Sequence, residues 1–282
     1  MTISNDDYYF GHEYSRFIRF NMLQSTELKN REISMFFKKR FIRGMYAYDT
    51  GTLEYLLKKW DQRNTALFHS VAIGDGRKFE HRKILDFIKN AKESRDRYFE
   101  IFNSTICGYD YIIDIDAPNL LLAYRDAKKV YDYFISANIP FGINFSGGKG
   151  FHIRIPWAKI ENTLTEYIQT RKSNASKDTN TNLESDDIKK LPDLFKQVTE
   201  KLISSLKLKY VDTTIYQLLR VIRVPYSVHQ NNRYVCLPLT NEQFENFDTL
   251  MCRKEDVLSI FPLKNRGMMY RNGEVTSLFE QI

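Results

Sequence analysis

Asp114 and Asp116 stand two apart in the segment YIIDID (111–116), with Ile113 and Ile115 as neighbours. In an extended chain, alternate side chains share a face, so both carboxylates point one way and both isoleucines the other. Carboxylates a few ångströms apart raise each other's pKa unless a cation neutralises them. A divalent ion that prefers oxygen, such as Mg²⁺, suits that pair. The plainer alternative is two exposed aspartates at a strand end, answered by nearby Lys or Arg. Asp110 has the same parity but opens the strand, and it reads as solvated.

A second group lies in SGGKGFH (146–152). Gly147, Gly148 and Gly150 let the backbone take positive φ and turn successive N–H groups toward an anion. Lys149 adds a point charge, Ser146 a hydroxyl and His152 a ring donor, a set that suits a triphosphate. The turn is not a Walker A loop, since it lacks G-x-x-x-x-G-K-[ST] and leads into a strand. Alone it also fits a glycine-rich hairpin with a lysine at its tip. The strand–helix–strand order brings this turn and the aspartates into one sheet. Acids beside a phosphate cradle then describe a metal–nucleotide site.

A third group follows Val211. Asp212 is either a third carboxylate or the N-cap of a short helix in VDTT. Arg223, Ser227 and His229 share a parity and line one face if the chain stays extended. Asp186 and Asp187 are rival acids, but they sit in a polar stretch.

The elements that must hold these groups alternate in type. Spacing predicts a helix over 9–28, strands over 32–37 and 43–48 about the basic turn at 38–40, and a helix over 52–61. A strand over 66–73 ends in the turn 74–76, and a charged helix covers 82–102. Strands at 109–116, 141–146 and 151–156 surround a helix whose apolar positions run from Leu120 to Phe134. Helices follow at 160–170 and 188–206, strand-like segments at 219–224 and 234–239, and a helical tail beyond 241. Residues 172–187 carry no apolar period and read as a mobile loop. Strands and helices mixed in this way imply a layered α/β or α+β domain.

With 43% hydrophobic and 14% aromatic residues, the 282-residue chain has too much core material to be disordered. No apolar run reaches membrane-spanning length, and residues 1–10, with Asp6 and Asp7, do not form a secretory signal. The chain therefore reads as soluble and intracellular. Cys107, Cys236 and Cys252 are scattered, which gives neither a disulfide framework nor a zinc cluster. A net charge of +7 invites an anionic partner.

Taken in order, YIIDID, SGGKGFH and D-(x)₇-RVIRVPYSVH resemble the catalytic small subunit of archaeal and eukaryotic DNA primases. The upstream NREI (30–33), Arg43 and FHSVA (68–72) support the resemblance, which covers roughly 28–240. It implies an α+β fold with central mixed sheets flanked by helices, forming one catalytic domain over 1–282; the zinc-binding cluster that many such subunits carry is a departure here, since three scattered cysteines cannot form one. It implies two Mg²⁺ or Mn²⁺ ions on Asp114, Asp116 and Asp212. Ser146, Gly147, Gly148, Lys149, His152, Arg223, Ser227 and His229 would hold a nucleoside triphosphate, with Glu32 and Arg43 near the nucleotides at initiation. His69 and His81 match no ligand position and read as surface or internally satisfied. The implied activity is RNA primer synthesis on single-stranded DNA, with a separate large subunit as partner, in a prokaryotic and specifically archaeal cytoplasm. Two other readings compete: a primase-like polymerase that extends DNA, as in the polymerase domains attached to bacterial end-joining ligases, and an inactive nucleic-acid-binding relative.

Overall fold

Ten strands and eight α-helices carry the fold in a computed structural model that describes residues 3–37, 40–59, 66–74, 100, 102–173, 183–229, 234–260 and 275–279. In chain order the strands are β1 (Ile33–Phe37), β2 (Arg40–Met45), β3 (Ala66–Ser70), β4 (Ala72–Gly74), β5 (Ile106–Tyr109), β6 (Tyr111–Asp116), β7 (Gly142–Phe145), β8 (Gly150–Ile155), β9 (Val221–Arg223) and β10 (Leu237–Leu239). The helices are α1 (Ser15–Ser25), α2 (Thr50–Lys59), α3 (Leu120–Ser136), α4 (Trp157–Ser173), α5 (Ser185–Leu206), α6 (Asn241–Glu245), α7 (Lys254–Ile260) and α8 (Thr276–Phe279).

Two four-stranded antiparallel sheets, ordered β2-β1-β3-β9 and β10-β7-β8-β6, are joined by the pair β4-β5. Helix α3 lies on β6 and β8. Its apolar stripe of Ala123, Ala127, Val130, Tyr131 and Phe134 is buried, and the Asn119 side chain caps it by accepting from the Leu122 amide. Each such large apolar side chain contributes about 1.5–3 kcal/mol by leaving water. Buried side chains from both sheets form one contiguous core. Among the described residues no helix is long and apolar enough to cross a membrane.

Two expected strands are each divided, and one buried network explains both breaks. The strand expected over 66–73 splits at Val71, so that β3 and β4 enter different sheets. The one expected over 109–116 splits at Asp110 into β5 and β6. The Arg31 guanidinium fills the junction, donating to the carbonyls of Ser70 (3.0 Å) and Val71 (2.8 Å) and pairing with Asp110 at 2.7 Å. Arg154 meets the same carboxylate at 2.7 Å, and the Trp157 amide donates to its other oxygen. Asp110 is therefore fully buried, which corrects the solvated reading. Its partners lie 44 and 47 residues further along the chain and, for Arg31, far upstream.

The helix expected over 9–28 is instead a π-helical turn (Asp7–Gly11), α1 and a 3₁₀ turn (Leu28–Asn30). Of the loop expected over 172–187, residues 172–173 end α4 and residues 185–187 open α5. Asp186 and Asp187 form the first turn of α5, where the Glu184 amide donates to Asp187. Residues 174–182, His81 and most of the helix expected over 82–102 lie outside the described residues.

Candidate active site

The β6–β8 register sets Asp114 opposite His152 and Asp116 opposite Gly150. The expected juxtaposition of acids and glycine turn is thus a direct strand pairing. Gly150 is required by close approach, since a Cβ there would stand 2.0 Å from the Ile115 carbonyl oxygen. Gly147 takes φ +81°, open to glycine at no cost. The turn is closed by the Ser146 amide donating to Gly150 O at 2.9 Å. The Ser146 hydroxyl oxygen accepts from the amides of Gly148 (3.3 Å) and Gly150 (3.2 Å), so those donors already converge on one oxygen. Lys149 is exposed at the tip.

The other sheet supplies the opposite wall. Register places Phe68 of β3 across from Arg223 of β9, and the guanidinium lies 4.7 Å above the phenyl ring. Between the walls is a cleft of about 550 Å³, lined by Phe68, Asp114, Asp116, Ser146, Lys149, His152, Arg223 and His229. That volume is in the range of small-molecule sites.

Asp212 arrives on a segment bound along β6. The Asp116 amide donates to Tyr210 O (2.9 Å) and the Asp212 amide to Asp114 O (2.8 Å), about an Ile115–Val211 bridge. From the far side, Asp126 of α3 accepts from the amides of Lys209 (2.6 Å) and Tyr210 (2.9 Å). The Asp212 carboxylate caps the 3₁₀ turn Thr213–Ile215 by accepting from the Thr214 amide at 2.8 Å. The capping reading holds, and the Asp212 charge also acts on Asp114.

Charges of both signs line the cleft. Burial, then the charges of Asp212 and Asp116, push the Asp114 carboxyl up to about 7, against the pull of Arg223 and Arg220. His152 Nε2 lies 3.7 Å from Asp114 Oδ1. Burial and the Arg223 charge push His152 down to about 3 and His229 to about 4, so both rings are neutral at pH 7. Asp114 thus has a neutral imidazole beside it, while Lys149 and Arg223 bring positive charge to the same cleft.

Three expected site residues stand elsewhere. The chain does not stay extended past Arg223, because Tyr226 takes φ +67° in the turn after Pro225. Parity is lost there, and the fully buried Ser227 hydroxyl donates to Val224 O at 2.6 Å, away from the cleft. Glu32 and Arg43 do not line the cleft. They form a two-pronged pair at 2.9 and 2.6 Å, with Glu32 also accepting from the Gly44 amide. His69 is buried, its Nδ1 2.8 Å from Ser70 O, as a satisfied histidine. Phe68 and Arg220 were not singled out as site residues in the sequence. The alternation of Phe68 with inward-facing Leu67 and His69 is the signal for the first. The second shows itself only through its field on Asp114.

Among the described residues no three His, Cys, Asp or Glu side chains gather closely enough to hold a metal ion by themselves. Mg²⁺ does not need such a cage, since one or two carboxylates, water and phosphate oxygens suffice. An all-oxygen donor set in which two carboxylates raise the pKa of a third fits that ion.

By sequence the chain matches no protein-family profile and no curated protein. By structure it is similar to the polymerase domain of Mycobacterium tuberculosis ligase D, solved in complex with DNA. The TM-score is 0.51 and the identity 11%, over 89% of this chain and 88% of that one. The likeness shows a shared mixed α+β fold, as the sequence led one to expect.

Proposed function

We propose that this chain is a template-directed nucleotidyltransferase acting on DNA. One observation carries the reading: the β6–β8 pairing that sets Asp114 and Asp116 against the SGGKGFH turn, in a cleft closed by Arg223 and His229. The fold shared with a polymerase domain supports it. Lys149, Arg223, His229, His152 and Ser146 would grip a triphosphate, while Gly147 and Gly148 keep the turn free of side chains. Asp114, Asp116 and Asp212 would hold Mg²⁺ or Mn²⁺. Those ions supply charge stabilisation for an in-line attack on the α-phosphate and for the departing pyrophosphate. Phe68, braced by Arg223, offers an apolar surface at the cleft for a base or sugar.

Within that class we favour synthesis of short RNA primers on single-stranded DNA, with a separate large subunit helping to start the chain. The motif order resembling primase small subunits supports this. The likeness to a ligase-associated polymerase domain favours the second reading, extension of an existing DNA end. The test is synthesis on an unprimed single strand with labelled ATP and Mn²⁺, comparing wild type with Asp114→Ala. Short products from wild type alone establish the primase. Products that appear only when a DNA primer and deoxynucleotides are added establish the extension polymerase. Activity retained in Asp114→Ala overturns the site.

A further inference from the structure

Two tyrosines near the N-terminus hold the segment that leads to the cleft. Tyr8 and Tyr9 lie in the π-helical turn Asp7–Gly11, at 0% and 1% exposure, with rings edge to face at 5.0 Å. The Tyr8 hydroxyl donates to Tyr226 O at 3.0 Å, and the Tyr9 oxygen accepts from the Val228 amide at 2.8 Å. These bonds join residues 218 and 219 positions apart. They grip the chain on either side of Ser227, at the turn where Tyr226 adopts its left-handed φ of +67°. A bulky residue keeps that conformation only where its surroundings over-determine it. The same turn leads, through the Val228–Val235 bridge, to His229. The imidazole of His229 rests on the glycine turn, its Nε2 3.2 Å from where a Cβ on Gly148 would stand.

We infer that Tyr9, assisted by Tyr8, is a positioning residue for His229: the N-terminal turn sets where that imidazole stands over the glycine turn, and so how tightly the cleft holds a nucleoside triphosphate. The geometric half of this inference is independent of the proposed function, and only the identity of the ligand rests on it. Tyr9 touches no ligand and acts through the Val228 amide. Tyr9 and Arg223 each bias the other's ionisation, so this N-terminal strap also acts on the arginine that lines the cleft.

Tyr9→Phe removes one oxygen and keeps the ring, leaving the Val228 amide without its acceptor. Two readouts follow: the imidazole resonances of His229 in the nucleotide-free protein, and the calorimetric affinity for the α,β-methylene analogue of ATP with Mg²⁺. We expect the His229 signals to move while those of His69 stay, and the affinity to fall about tenfold, as for loss of one well-placed contact. Tyr8→Phe, the milder change because a buried carbonyl tolerates loss of a partner better than an amide does, should move both readouts in the same direction. If His229 signals stay in place while only the denaturation midpoint drops, the tyrosines are merely structural and the inference fails. If wild type does not bind the analogue yet Tyr9→Phe still moves His229, the triphosphate reading fails and the strap stands. If wild type binds and both variants bind equally, the strap falls.

Discussion

Gly150 is the residue at which the candidate site is least tolerant. The atom that any other side chain would place 2.0 Å from the Ile115 carbonyl meets backbone, which cannot swing aside as a side-chain tip does. Gly150→Ala should therefore pry β8 from β6 at the Asp116 position and cost about 3 kcal/mol of unfolding free energy. Chemical denaturation checks this, and a loss under about 1 kcal/mol would mean that the strands part easily. Residue by residue, the sequence was most informative where the argument was local. The shared face of Asp114 and Asp116, and the turn at 147–150, follow from alternation and glycine content over a few positions. Asp110 went astray because alternation says where a side chain points but not what awaits it there. Its arginines arrive from β8 and from the segment before β1. Ser227 went astray for a related reason: the left-handed turn at Tyr226 breaks the extended run, and the Ser227 side chain is buried.

At the scale of elements, α3 is a clamp as well as a crossover. Its apolar stripe faces the sheet, yet Asp126, 4% exposed, turns to hold the amides of Lys209 and Tyr210. On the same helix Lys129 donates to Lys207 O at 2.9 Å. The segment bearing Asp212 is thus fixed between α3 and β6. Asp126→Ala should strand two amides and lower stability by about 2–3 kcal/mol. It should also loosen the 207–212 segment first, which hydrogen exchange at Tyr210 and Asp212 would report as faster exchange than at Ile113. Equal protection across those positions would show that β6 alone holds the segment. Helices α3 and α5 were legible because their apolar periods run four or more turns. The breaks at Val71 and Asp110 were not, because local strand propensity cannot say that the two halves of a segment serve different sheets.

For the whole molecule, two buried histidines and the half-buried His229, all neutral, set a pH dependence. His69 is held well below its ordinary value, chiefly by burial and then by Arg31 and Arg154. His152 is held at about 3 and His229 at about 4. The unfolded chain takes up protons on these rings as pH falls through about 6.5, and the folded chain does so only much lower. Their contribution to stability is therefore complete above about pH 6.5 and is lost progressively toward pH 4. Asp114 works the other way: its raised carboxyl favours the folded state at low pH and loses that advantage between about 4 and 7. Three rings outweigh one carboxyl, so the melting temperature should rise from pH 4 to 6.5. His152→Gln should flatten that rise, and an unchanged slope would place the sensitivity elsewhere.

The β3–β9 pairing has a consequence for how the protein is made. Residues 66–70 find their edge partner only at 221–223, and Tyr8 and Tyr9 find theirs at 226–228. The other sheet likewise gains its outer strand only at 237–239. On a ribosome, three-quarters of the chain must emerge before either sheet can close. Until then β3 and β7 each present an unpaired edge to the cell. A nascent chain of this design depends on late contacts for its earliest residues, so its hazard is greatest during synthesis and outlasts the arrival of the segment that completes the cleft, ending only when 237–239 covers β7.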